Sequence, residues 1–250
     1  MQTIKKLKNV KHFISSNFWW VSSWNYKSLN LALHTKDKKE NVIENRKILA
    51  KNFWENLDNF IFMKQIHSDK IVVVWEKNKW NWVYDEKNAI IWDAIITNKK
   101  WIILVVLVAD CVPIILYDKK NKVIWVVHAG WRWTQKKILK KTIEKFVKNF
   151  NSKTKNIIVW IWPHISKKNY EVWEKVFLQF EKKFYKIKKK SENKKAFLNL
   201  EKANISQLIE MWIAKKNIKK SKICSFENKN LFSARKFWVK SGRFWMWIML

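Results

Sequence analysis

The sequence predicts an α+β domain, and two observations carry that expectation. Short runs rich in Val and Ile, ended by polar residues, recur at 90–97, 102–108, 123–127 and 157–161. Such runs read as buried strands. Between them lie segments whose apolar residues return every three or four positions, as Leu139, Ile143, Phe146 and Phe150 do. That is the spacing of one helix face. At 250 residues the chain suits a single domain, 1–250, with a full core.

Taken in order, Asp37 and Glu40 make a capping-box-like start to a helix through Phe53. Val42, Arg46, Leu49 and Phe53 share one face of it. Residues 60–75 read as two strands around Gln65, Ile66 and His67, and the polar stretch 76–88 reads as a loop. Strand 90–97 carries Asp93 inside an apolar run, where an acid is costly unless paired or hydrogen-bonded. Asp93 is therefore either an orienting partner for a ligand histidine or a cap on a neighbouring loop. Beyond strands 102–108 and 123–127, Thr134 is placed to N-cap a helix ending at Phe150. Gly130–Trp133 then sit at a helix N-terminus, where free N–H groups and Arg132 favour an anion such as phosphate.

Strand 157–161 leads to Pro163 and a structural His164. Val172, Val176, Phe177, Phe180 and Phe184 predict an amphipathic helix over 170–184, headed by Glu171. The charge run 186–195 reads as a solvated loop, 200–211 as a further helix, Cys224 as a buried inert thiol, and the tail past Arg243 as a last strand.

Composition excludes several classes. Two distant cysteines form no disulfide framework and fit a reducing compartment. The first residues carry charge without an apolar core, so no secretory signal is expected, and the longest apolar run is too short for a bilayer. A cytoplasmic protein with no membrane role is the expectation. The net charge of +32 invites a nucleic-acid reading. Nearly all of that charge is Lys, however, in a chain also crowded with Asn, Ile and Phe, so charge on solvated faces is the preferred explanation. The few arginines, Arg46, Arg132, Arg235 and Arg243, stand apart as residues whose fork geometry matters.

The chemistry gathers between Trp101 and Thr134. One strand ends in Ala109-Asp110-Cys111 and the next in His128-Ala129-Gly130-Trp131-Arg132, with His67 upstream. One Cys and two His make a zinc set one ligand short of a closed structural site, which is how catalytic zinc is held. Spacing alone leaves Cys111 and His128 equally open to a Cys–His nucleophile pair. Asp93 and Glu171 are the candidate proton-transfer groups.

The segments FMKQIHS (62–68), DAIITN (93–98), ADCVPIILYD (109–118) and HAGWR (128–132) resemble the motif set of the bacterial laccase-domain proteins. That family was first labelled polyphenol oxidase and is now regarded as zinc-dependent purine nucleoside phosphorylases. The likeness continues in WPHI (162–165), YEVW (170–173), FLNLEKAN (197–204) and LFSARKFWVKSGR (231–243), and so spans nearly the whole chain in order. The resemblance implies mixed β-sheets packed together with helices outside. It also implies zinc on His67, Cys111 and His128, with Arg46, Gln65 and Arg132 toward substrate or phosphate. Arg46 has the alternative of a surface salt bridge to Glu44. The implied reactions are phosphorolysis of adenosine or inosine and adenosine deamination. Copper chemistry ranks below zinc, because a multicopper oxidase needs more than the five histidines present. A basic nucleic-acid-binding protein with structural zinc remains the non-enzymatic alternative.

One departure is large. The chain has 2 glycines and 19 tryptophans. Trp19, Trp20, Trp101, Trp133, Trp162 and Trp173 stand where the family pattern has glycine, whereas Trp131 is tryptophan in the family too. Reading all the others as glycine restores a glycine content near the ordinary level of about 7%. The expectation is a UGA codon, written here as Trp, that the organism reads as Gly.

Overall fold

A computed structural model describes residues 10–16, 21–27, 29–65, 70–79, 83–85, 90–188, 194–238 and 241–250. Two mixed sheets lie face to face. The larger orders its strands Ile218–Lys220, Ile157–Ile161, Val112–Asp118, Val123–Ala129, Ala94–Thr97, Ile71–Val73. The smaller orders them Lys11–Ile14, Phe244–Met249, Ile103–Val108, Phe60–Ile61. A three-stranded sheet (Glu171–Trp173, Lys195–Leu198, Tyr185–Ile187) and the pair Met63–Lys64 with Ile90–Ile91 complete the described strands.

The strands read as unbroken apolar runs because both of their faces are covered. Along Ile103–Val108, Leu104, Val106 and Val108 face the space between the sheets, where they meet Ile115, Ile124, Val126, Met246 and Ile248. Alternate residues Ile103, Val105 and Leu107 turn the other way, onto Leu49 and Ala50 of helix Lys39–Asn52. The outer face of the larger sheet (Ile114, Leu116, Trp125, Val127) buries against Leu139, Ile143 and Phe146 of helix Ile138–Phe150 and Leu208 of helix Leu200–Glu210. This gives four layers, helix–sheet–sheet–helix, and confirms the α+β expectation.

Four local expectations need correction. Residues 170–184 are not one helix: Glu171–Trp173 is a strand, only Glu174–Phe177 is helical, and a 3-10 turn covers Lys182–Phe184. Part of the spacing expected of a helix is here supplied by a strand followed by a turn, and pairing with Lys195–Leu198 satisfies the backbone. Thr134 is no N-cap. A short helix, Trp131–Gln135, begins at Gly130, and Lys137 in a left-handed conformation (φ 58°) separates it from the long helix. Asp37 forms no capping box; its carboxylate accepts hydrogen bonds from the Ser22 hydroxyl, the Asn30 amide and the Lys38 N–H, joining three loop segments. Cys224 is buried, as expected, but not isolated: the Ser166 N–H and the Asn169 amide donate to its sulfur.

Several of the described tryptophans sit where tryptophan is physically out of place. Trp24, Trp54, Trp101, Trp212 and Trp238 all have positive φ, from 55° to 63°. Bulky L-residues rarely adopt that region. Trp54 and Trp212 each follow a helix C-cap. The Trp54 and Glu55 N–H groups bond to Lys51 and Ala50, and those of Trp212 and Ile213 to Ile209 and Leu208. This paired pattern is the helix-ending motif whose left-handed residue is usually glycine. Inside, Trp125, Trp162, Trp245 and Trp247 are buried with their indole N–H groups unbonded. The Trp125 ring centroid lies 3.6 Å from that of Phe146, closer than the usual 4.5–7 Å between aromatic centroids.

Candidate active site

The register of the larger sheet builds the site. Ala94 pairs with Val127 and Pro113 with His128, so Asp93, His128 and Cys111 arrive on neighbouring strand ends. The His128 N–H bonds to the Asp93 carbonyl at 2.9 Å, and its Nδ1 lies 2.9 Å from Asp93 Oδ1. Asp93 is fully buried, which fixes the ring orientation. Cys111 lies close enough to the imidazole to favour its charged form. Burial opposes charge on His128, but Cys111 and Asp93 together outweigh it and push its pKa up to about 10.

A carboxylate–histidine pair aimed at a cysteine is the donor chemistry of a zinc centre, with Asp93 as the orienting partner. Among the described residues no three His, Cys, Asp or Glu side chains group as metal ligands. His67, the third expected ligand, lies outside the described residues. The two donors present fit the metal.

Cys111 follows the point where the chain leaves one sheet for the other. Strand Ile103–Val108 belongs to the smaller sheet and Val112–Asp118 to the larger. Asp110, in the crossing, has φ 93° and is buried. Its Oδ1 accepts from the Ser225 hydroxyl (2.6 Å), and its Oδ2 from the Ser233 hydroxyl (2.9 Å) and the Arg235 N–H (2.6 Å). Asp110 carries no sequence signal beyond being an acid beside the candidate Cys111.

A cavity of about 450 Å³ opens beside this centre, lined by Trp131, Tyr170, Glu171, Trp173, Arg235 and Trp238 among others. It does not reach Cys111 directly. Tyr170 and Arg235 link the two regions. Burial chiefly, then the neighbouring Cys111, holds the Tyr170 hydroxyl above its ordinary pKa, against the opposing pull of Arg235. The Arg235 guanidinium lies 5.3 Å from the Tyr170 ring centre and donates to the Glu171 carbonyl at 2.6 Å. Arg132 is exposed, stacked at 4.2 Å over Trp131. Its short helix is clasped from behind, since the Asn204 and Gln207 amides donate to the Thr134 side chain and carbonyl.

Three expected site residues take other posts. The Arg46 guanidinium is fully buried and donates to the Leu31 and Val83 carbonyls, 3.9 Å over the Phe62 ring. That is neither an open substrate contact nor a surface salt bridge; the arginine braces the interior. Gln65 exchanges both amide hydrogen bonds with the Leu107 backbone at 2.8 Å, extending the sheet instead of facing a ligand. The Glu171 carboxylate lies 2.6 Å from Lys188 and 3.0 Å from Lys195, and these bonds hold its pKa below the usual range. A carboxylate so held is a weak proton acceptor. His164 is structural, as expected, with Nδ1 at 2.8 Å from the Trp162 carbonyl.

The Arg46 geometry has a direct test. Arg46→Met should lower unfolding stability in urea by about 3 kcal/mol or more, since charge-assisted bonds contribute about 1.5–3 kcal/mol each and buried carbonyls would lose partners. A Michaelis-constant effect without a stability loss would contradict the bracing role.

A buried His–Asp pair and a strand-end cysteine beside an aromatic, cationic cavity form the candidate site on a two-sheet α+β scaffold. Comparison with known proteins gives the family. The chain belongs to the family described as multi-copper polyphenol oxidoreductase laccase, which matches residues 11–250. A purine nucleoside phosphorylase of Clostridium acetobutylicum is 34% identical, over 88% of this chain and 87% of that protein. One from Bacteroides thetaiotaomicron is 27% identical over 100% and 94%. Adenosine deaminase RL5, from an unknown prokaryotic organism, is 30% identical over 88% and 87%. The crystal structure of the Bacillus licheniformis hypothetical protein YfiH superposes with a TM-score of 0.93 at 26% identity, covering 99% of this chain and 95% of that one. Among the described residues, no helix is long and apolar enough to cross a membrane.

Proposed function

We propose that the protein is a zinc-dependent purine nucleoside phosphorylase acting on adenosine or inosine. The observation that carries this reading is the Asp93–His128–Cys111 chain beside an aromatic and cationic cavity. Zinc held by Cys111, His128 and His67 would supply Lewis-acid chemistry. Trp131 and Tyr170 offer faces to a purine, while Arg132 and Arg235 offer charge to phosphate. A phosphate oxygen bonds to the anomeric carbon as the bond to the base nitrogen breaks, and the base leaves with that electron pair and takes up a proton. Asp93 orients His128, which leaves it poorly placed to provide that proton.

Adenosine deamination is the second reading, favoured by the relative named adenosine deaminase. Incubating metal-analysed protein with adenosine and inosine, with and without phosphate, separates the two. Phosphate-dependent release of free base supports phosphorolysis. Inosine formed from adenosine without phosphate supports deamination, and the absence of both products would overturn both readings.

Arg132 tests the phosphate assignment separately. Arg132→Ala should lower phosphorolysis about 10–100-fold, as loss of a charge-assisted hydrogen bond implies, with zinc content unchanged. Arg132→Lys should recover little, since the bidentate fork is gone. Unaltered activity in the alanine variant would remove Arg132 from the site.

A further inference from the structure

We infer that Asp110 is a positioning residue that holds Cys111 in register with the segment carrying Arg235. This rests on the proposed reading of Cys111 and His128 as metal ligands. Asp110 occupies the sheet-to-sheet crossing with φ 93°, a conformation that L-residues adopt only when the surroundings enforce it. The enforcing contacts are visible. Both carboxylate oxygens are engaged, by hydroxyls from Ser225 and Ser233 and by the Arg235 N–H.

Those donors come from two loops more than a hundred residues away in sequence. Ser233 also caps the short helix Ala234–Phe237 by accepting from the Lys236 N–H. One carboxylate therefore fixes two things at once. It locks the backbone immediately before Cys111, and it sets the turn from which Arg235 reaches Tyr170 and Glu171 at the cavity. Asp110 touches neither substrate nor metal in this scheme; it acts through its neighbours, as outer partners of ligands do.

The test separates the carboxylate from the backbone conformation. Asp110→Gly keeps the positive φ at ease but deletes every bond, whereas Asp110→Asn tolerates the same φ and retains an acceptor toward Ser233 and Arg235. Cobalt affinity, read from the sulfur-to-cobalt absorption of metal-free protein titrated with cobalt ion, should fall about 10–100-fold in the glycine variant and less in the asparagine variant. The melting temperature reports folding, and kcat and KM for inosine should both worsen in the glycine variant. Cobalt affinity and kinetics equal to the parent protein in Asp110→Gly would overturn the proposal. If the glycine variant fails to fold, an asparagine variant with unchanged cobalt affinity overturns it equally. Cys111→Ser serves as the control: should it also leave the cobalt spectrum unchanged, the ligand reading itself fails, which is a different result from a silent Asp110.

Discussion

Replacing Trp54 and Trp212 by glycine should stabilise the protein by about 1–2 kcal/mol at each site, the cost of a left-handed conformation for a residue with a Cβ. Removing a large aromatic ordinarily destabilises. Here the two side chains are 96% and 86% exposed and bury almost nothing, so little packing is lost. Both residues end a helix with φ near 60° and the paired backbone bonds of a glycine-type stop. Alanine at the same sites keeps the Cβ and should gain much less, which isolates backbone strain as the cause. Urea unfolding of the single variants measures this, and a stability loss on going to glycine would contradict it.

Trp24, Trp101 and Trp238 share the positive φ and should respond in the same direction. Buried Trp125 and Trp162 should gain by a second route, relief of crowding, which costs about 1–3 kcal/mol per overpacked site. The summed burden is of the order of a domain's whole stability, about 5–15 kcal/mol. The expected origin is a UGA codon read as glycine by the organism that makes the protein. UGA at the positive-φ positions with UGG at Trp131, and glycine in peptides of the native protein by mass spectrometry, are the expected results. UGG at Trp54 and Trp212 would end the idea.

If the proposed zinc-dependent phosphorolysis holds, Cys111→Ser should reduce it about a thousandfold or more, because several kcal/mol of Lewis-acid assistance would be lost together with the metal. A serine hydroxyl is a poor zinc ligand at neutral pH, whereas the space it fills is nearly that of the thiol. The fold should survive, since Cys111 is only half-buried at a strand end. Zinc content and inosine turnover measured on the same sample distinguish two outcomes. Loss of both supports a metal ligand. Loss of activity with full zinc retention would instead favour Cys111 and His128 as a nucleophile pair, the arrangement that spacing alone left open.

The sequence by itself determined much of the scaffold. The 102–108, 123–127 and 157–161 runs became strands within a residue or two, because both faces of each are covered and an unbroken apolar run has no other place to go. Helices 39–52, 138–150 and 200–210 were legible from their buried stripes. Cys111 and His128 were legible as a pair because ligand-type residues at strand ends are few in a chain with two cysteines and five histidines. Tertiary structure alone decided the partners. Asp93 meets His128 only through the register that sets Ala94 against Val127. Helical spacing turned Arg46 inward correctly, yet only the folded loops show that the Leu31 and Val83 carbonyls receive it. Residues 170–184 misled because Val172, Val176 and Phe177 bury equally well from a strand followed by one helical turn, and the choice belongs to strand 195–198, which offers the hydrogen bonds. Asp110 was invisible for the same reason: its hydroxyl and N–H partners lie over a hundred residues away, and a hydrogen bond leaves no periodic trace in sequence.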